Sequence, residues 1–209
     1  IQDIISELKK TSNYLERRKD VEKFNQNNDF LKRGIALTPV KFGISFNASF
    51  LNQAGALLHI YNDGSVYLNH GGTEMGQGLN TKIAQVVANE FQLPLDKIKI
   101  TATSTGKVPN TSATAASSGT DLNGMAAKNA AEKIKFRMAE YLAAEAQIKP
   151  DQVTFENGKV SVGVNEYDFS DAVMRCYMGR ISLSATGFYS TPKVHWDPKL
   201  SLIHISEPT

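Results

Sequence analysis

The segment GGTEMGQG, residues 71–78, sets a carboxylate, a thioether and an amide among four glycines. An apolar strand-like run precedes it and a helix-like run, residues 79–91, follows it. Glycine permits close approach to the backbone and unusual φ/ψ. A loop between a strand and a helix offers N–H groups near a helix N-terminus, which suits anions. Gln77 donates and accepts at once, as the edge of an amide-like heterocycle requires. The spacing is neither the phosphate-binding GxxxxGK followed by Ser or Thr, because Leu79 and Asn80 stand in those places, nor GxGxxG. A tight loop that binds nothing accounts for the same composition.

Two further stretches carry polar or aromatic groups at useful density. In VPNTSATAASSGTDLNG, residues 108–124, Thr111, Ser112, Thr114, Ser117 and Ser118 supply donors, and Ala115 and Ala116 let a flat group come close. Such a segment before a helix could hold a phosphate or a polar ring; a serine-rich helix cap is the plainer reading. In KFGISFNASFLNQAG, residues 41–55, Phe46, Phe50 and Leu51 could line a slot for a flat substrate, or be core. Glu74 has the chemistry of a base, but in a glycine loop a carboxylate also bonds nearby N–H groups. His59 reads as a structural strand residue and His70 borders the loop. The four histidines, His59, His70, His195 and His204, match no metal-ligand spacing.

The elements that must position these residues follow from the pattern. Residues 1–27 read as charged helix, with Leu8, Leu15, Val21 and Phe24 on a rough apolar side. Residues 34–46 are strand-like. Residues 54–61 and 65–68 flank Asn62-Asp63-Gly64, a strong hairpin signal. Leu79, Ile83, Val86, Val87 and Phe91 recur at helical spacing, and Pro94 stops that helix before a strand near Ile98 and Ile100. Ala127, Ala131, Ile134, Met138 and Leu142 share one side of a later helix. A second hairpin turns at Asn157-Gly158, a short helix covers 167–177, and 184–192 is extended. Strand pairs mixed with helices predict an α+β fold. The 209 residues suffice for one large domain or two small ones, and a 41% hydrophobic, 21% charged composition predicts a packed core. A net charge of +2 gives no case for nucleic acid. One cysteine, Cys176, excludes an internal disulfide and any Cys-based metal or iron–sulfur site within this chain. No apolar run approaches membrane-spanning length.

Taken together, KFGISF, FLNQAGALLHIY, DGSVYLNHGGTEMGQGLNTKIAQV, VPNTSATAASSGTDLNG and SLSATGFYSTP, in this order, resemble the molybdenum-binding part of xanthine dehydrogenases and xanthine oxidases. The resemblance runs from about Arg33 to Pro198, with residues 1–32 resembling the helical lead-in. It implies a cytoplasmic molybdenum hydroxylase that oxidises hypoxanthine and xanthine to urate. Electrons would pass to 2Fe-2S clusters and FAD in other domains or subunits. It further implies that Met75, Gly76 and Gln77 face the molybdenum-molybdopterin cofactor, as do Thr114, Ala115, Ala116 and Ser117. Phe46 would contact the purine ring, with Asn47, Leu51 and Ala116 also on the substrate side. Asn47 departs from the usual threonine, and Gly119 replaces a serine, so that contact would be lost or supplied by backbone.

The family's catalytic glutamate, in a Gly-Glu-Pro-Pro type motif, is absent from this chain, and so are the substrate-orienting glutamate and arginine. No catalytic residue or metal ligand is therefore assigned here. The chain reads as an internal fragment, inactive alone, that needs the rest of the molybdenum-binding domain. The terminal LSLIHISEPT, residues 200–209, resembles a translated sequencing adapter and is expected to be non-native. An aldehyde oxidase-like hydroxylase of the same superfamily, or a catalytically silent cofactor-binding or scaffold module, are the alternatives.

Overall fold

A computed structural model of the chain describes residues 2–38, 43–108, 110–199 and 202–205. It divides into two compact units, Ile1–Gly43 and Ile44–Thr209. The first contains α1 (Gln2–Thr11) and α2 (Tyr14–Gln26), separated because Asn13 takes a left-handed conformation, φ 51°. The single helix predicted for 1–27 is thus broken. None of its apolar residues is buried. Within this unit the Asn25 amide bonds both N and O of Arg33, whose guanidinium lies 3.8 Å from the centre of the Phe24 ring.

The second unit is built on a four-stranded sheet of order β3-β2-β1-β7. β1 (Gln53–Ile60) and β2 (Val66–His70) form the expected antiparallel hairpin. In the turn, Asp63 Oδ1 accepts from the N–H and hydroxyl of Ser65, and Gly64 has φ 83°. Strict alternation in β1 sends Ala54, Ala56, Leu58 and Ile60 inward. The glycine-rich loop leads from β2 into α3 (Leu79–Phe91), whose bounds match the sequence expectation. The chain then returns as β3 (Ile98–Ile100), parallel to β2.

The 28-residue helix α4 (Gly119–Ala146) packs on β1, on α3 and on the last strand of the sheet. Its Ala126, Ala127, Ala130 and Ala131 are wholly buried. Beyond it lie a small sheet, β4 (Val153–Glu156), β5 (Lys159–Val162) and β6 (Asn165–Asp168), and the helix α5 (Phe169–Met178). Phe91 of α3 meets the rings of Phe155 and Phe169 at 6.5 and 5.7 Å between centres, joining the two layers. β7 (Ser184–Ser190) then closes the main sheet against β1. β8 (Val194–Asp197) pairs with β9 (Leu202–Ile205). The α+β expectation holds; β6, β8 and β9 were not foreseen. No described helix is long and apolar enough to cross a membrane.

Residues 34–38 and 43–46 form no strand, contrary to expectation; 39–42 lie outside the described residues. The cause is local. Ser45 has φ 103°, and the backbone groups of Phe46 that a ladder would need are held by a side chain, that of Asn52.

One glycine decides how closely α4 can approach. A Cβ on Gly187 of β7 would stand 1.9 Å from the Ala126 carbonyl oxygen and 2.7 Å from the Ala130 nitrogen, both backbone atoms of α4. Neither can move without shifting the helix. Gly187→Ala should therefore destabilise the fold by about 1–3 kcal/mol or more, as overpacking does, read as a lowered midpoint in denaturant unfolding. An unchanged midpoint would mean that α4 does not sit this close.

Candidate functional site

The four glycines of the loop serve two separate purposes. Gly71 and Gly72 are packing glycines. A Cβ on Gly71 would meet the Thr111 side chain at 2.4 Å; one on Gly72 would meet Leu79 Cδ2 at 2.7 Å and His70 Nδ1 at 3.2 Å. Gly76 and Gly78 are conformational, with φ 96° and 74°, and have no tight neighbour. Left-handed backbone is the region where glycine has no rival.

Polar side chains then fix the loop from inside. Glu74 Oε1 accepts from the N–H groups of Gly76 (2.9 Å) and Gly78 (3.0 Å), and its Oε2 from Asn80 (3.0 Å). The carboxylate satisfies free N–H groups at the start of α3, where negative charge is favoured. These bonds, that to Asn80 foremost, hold its pKa below the ordinary carboxylate value. Glu74 is an acceptor and no base, as the sequence led one to expect. Gln77 is also engaged: its Oε1 accepts from Met75 N–H (2.6 Å) and its Nε2 donates to the Thr73 carbonyl (3.0 Å). The second proton of that Nε2 remains for another acceptor.

The segment before α4 comes up against this loop. Thr73 N–H donates to Thr114 Oγ1 at 2.8 Å across 41 residues of chain. Ala116 and Ser117 both take left-handed backbone, φ 53° and 54°. Ser118 is buried and bonds back to the Ala115 carbonyl. Between the two loops lies a cavity of about 350 Å³. Met75, Gln77, Thr114, Ala115 and Ser117, all assigned from the sequence, line it. Leu79, Lys82, Gly119 and Thr120 complete it and were missed. Gly119 leaves room: a Cβ there would press on Thr114 Cγ2 at 3.3 Å. Lys82 was open to detection, since it sits one helical turn after Gly78 on the polar side of α3, its N–H on the Gly78 carbonyl.

Gly76 and Ala116 lie on the two loops but do not line the cavity. Phe46, Asn47 and Leu51 do not line it either. They are tied to it through Ser45, whose N–H donates to the Ala116 carbonyl at 3.1 Å. Phe46 is half-buried against the core, Leu51 is half-buried, and Asn47 is exposed with its Oδ1 on Ala48 N–H. Phe50 is 73% exposed, so no slot is built from Phe46 and Phe50 together.

Asn52 escaped the sequence reading. It is 2% exposed. Its Oδ1 accepts from Phe46 N–H at 2.8 Å, and its Nδ2 donates to the carbonyls of Phe46 (2.9 Å) and Ser49 (3.2 Å). It holds the Phe46 backbone as a strand partner would. Among the described residues no group of three or more His, Cys, Asp or Glu could hold a metal. Cys176 is buried, and burial pushes its thiol up to about 12, which makes it inert.

A profile of the molybdopterin cofactor-binding domain matches residues 7–203. Xanthine dehydrogenase of Blastobotrys adeninivorans is 47% identical over 194 residues, 93% of this chain and 12% of that protein. Xanthine dehydrogenase of Calliphora vicina is 49% identical over 187 residues, 90% and 12%. Xanthine dehydrogenase/oxidase of Mus musculus is 48% identical over 184 residues, 88% and 12%. The chain thus spans 12–13% of the length of the curated relatives it matches. Among solved structures, the CO dehydrogenase of Oligotropha carboxidovorans superposes with a TM-score of 0.60 at 25% identity, over 66% of this chain and 18% of that one. Quinoline 2-oxidoreductase of Pseudomonas putida 86 shares the fold with a TM-score of 0.59 at 21% identity, over 74% and 22%.

Two outcomes follow from this geometry. Asn52→Ala leaves the Phe46 N–H and carbonyl without partners and should cost about 1–3 kcal/mol, with faster amide exchange at Phe46 in NMR; unchanged exchange would remove Asn52 from its role. Because the Glu74 pKa is lowered, its contribution is complete above the ordinary carboxylate value and is lost as pH falls through the lowered one. The start of α3 should therefore loosen in acid, measured by exchange at Gly76, Gly78 and Asn80, and Glu74→Gln should abolish that pH dependence.

Proposed function

The chain belongs to the molybdopterin cofactor-binding domain family, and from that membership we propose that it is one part of a xanthine dehydrogenase-like molybdenum hydroxylase that holds the cofactor and forms one wall of a purine pocket. The observation that carries this reading is the convergence of the two loops on one cavity. A volume of about 350 Å³ falls at the lower end of the range for small-molecule sites.

The donor set fits such a group. Thr114, whose oxygen already accepts from Thr73, keeps its hydroxyl proton to donate. Ser117 and Thr120 add hydroxyls, Gln77 adds one amide proton, and Lys82 adds a cation for an anionic substituent. Met75, Leu79 and Ala115 offer apolar surface to a flat ring. When bound, the molybdenum-molybdopterin group supplies a two-electron redox centre. The task of this chain is to bind and orient it. Phe46, its backbone fixed by Asn52, would set the plane of a purine, with Asn47, Leu51 and Ala116 on the same side. A general base comes from elsewhere in the intact protein, as do the 2Fe-2S and FAD domains or subunits that accept the electrons, in the cytoplasm.

Three measurements test this. The 209-residue chain alone should form no urate from xanthine. In the full-length protein, Gln77→Ala should lower molybdenum content or turnover by about tenfold or more, since one lost buried hydrogen bond is worth about 1–3 kcal/mol. Phe46→Ala should weaken steady-state use of xanthine and hypoxanthine by about tenfold, from lost ring contact. Unaltered molybdenum content together with unaltered turnover in the first variant would remove the cofactor from this cavity. Unaltered kinetics in the second would move the purine elsewhere.

A further inference from the structure

His70 ends β2 directly before the glycine-rich loop and is 1% exposed. Its Nδ1 accepts from the Gly72 N–H at 3.1 Å. That bond fixes the tautomer: an accepting Nδ1 carries no proton, so the proton of the neutral ring is on Nε2. Nε2 is sealed from solvent without a well-directed hydrogen bond. The backbone around the ring is pinned as well, since Thr103 Oγ1 donates to the His70 carbonyl at 3.0 Å. Gly72 has no side chain because Leu79 Cδ2, Asn123 Nδ2 and His70 Nδ1 all crowd the place a Cβ would take. The imidazole therefore does for this turn what a backbone carbonyl would do in a regular one. It captures the first N–H after the strand and so sets the direction in which residues 73–78 leave the sheet.

We infer that His70 is a positioning residue for the glycine-rich loop, its neutral ring closing the turn through Gly72, so that proton uptake at Nδ1 releases the loop. A protonated Nδ1 is a donor facing another donor, and the bond must break. The charged group that bears on the ring is the Glu74 carboxylate; Asn80, at the start of α3, also favours a proton there. Burial outweighs both and holds the ring below its ordinary value. A lowered folded-state pKa means that the turn is fully closed above the ordinary imidazole value and opens as pH falls from there through the lowered one. Glu74 titrates below this window, its own pKa being lowered from the carboxylate value. That the loop faces a cofactor rests on the function proposed above; the closing of the turn does not.

The test is amide hydrogen exchange of residues 72–78 in the full-length protein, corrected for the intrinsic pH dependence of exchange, at pH about 7.5 and about 5, either side of the imidazole range. In the wild type, protection should fall by at least about tenfold between them, as loss of a buried hydrogen bond requires. His70→Asn offers an acceptor that bonds the N–H two residues on and does not titrate. It should keep the loop protected at both pH values. His70→Leu should leave the loop unprotected at both. A pH step in the Asn variant equal to that of the wild type would assign the titration to another group and overturn the inference. So would full protection in the Leu variant at the higher pH. The Asn variant keeps the test decisive if the Leu variant does not fold. Exchange reads the turn itself, whereas cofactor retention in the Gln77 variant reads the proposed function, so either can fail without the other.

Discussion

The hydrogen bond from Thr73 N–H to Thr114 Oγ1 joins two loops that belong to different parts of the fold. The first leaves the sheet at β2 and becomes α3; the second feeds α4. Each is a poor structure by itself, rich in glycine or in small hydroxyl residues and exposed along much of its length. Their separation is set by the elements behind them. α4 lies close on β7 because Gly187 has no side chain and because the helix offers alanines to the sheet. α3 packs on α4 and brings Leu79 beneath the first loop. The cavity exists because these two contacts bring the loop ends together, and the Thr73–Thr114 bond then fixes their register.

The glycine pairs show how one motif can answer two demands. Gly71 and Gly72 are required by Thr111, Leu79 and His70, all part of the protein. Gly76 and Gly78 are required by backbone conformation alone. Neither pair is filled by a neighbour on the cavity side. The composition of the loop is therefore explained without a ligand, and the weight of the functional reading falls on the hydroxyls, the Gln77 amide and Lys82. A scaffold that had lost its cofactor would keep the first glycine pair for packing, so those two residues do not separate the readings.

Local chemistry made much of this legible in the sequence. The Asp63-Gly64 and Asn157-Gly158 turns, the bounds of α3 and the buried face of α4 follow from turn propensity and period. The convergence of residues 71–78 and 111–119 was legible only through family resemblance, since no periodicity reports a contact across 41 residues. The strand expected over 34–46 failed in its described part because Asn52 supplies the partner groups that a neighbouring strand would have supplied. Asn52 and His70 were overlooked for one reason. Each acts through a side chain that imitates backbone, and such a role leaves no pattern in composition or spacing. Lys82 was passed over because a lysine on the polar side of a helix is ordinary.

Met75 gives the most direct measurement of the central claim, that the cavity between the two loops holds the cofactor. Its side chain lines the cavity and is 66% exposed, while Met178, distant in sequence and absent from the cavity lining, is 74% exposed. Hydroxyl-radical footprinting of the full-length protein, cofactor-loaded and cofactor-stripped, reads the oxidation rate of each methionine by mass spectrometry. Loading should slow oxidation of Met75 several-fold and leave the rate at Met178 unchanged. An identical Met75 rate in the two forms would contradict the account and place the cofactor outside this cavity.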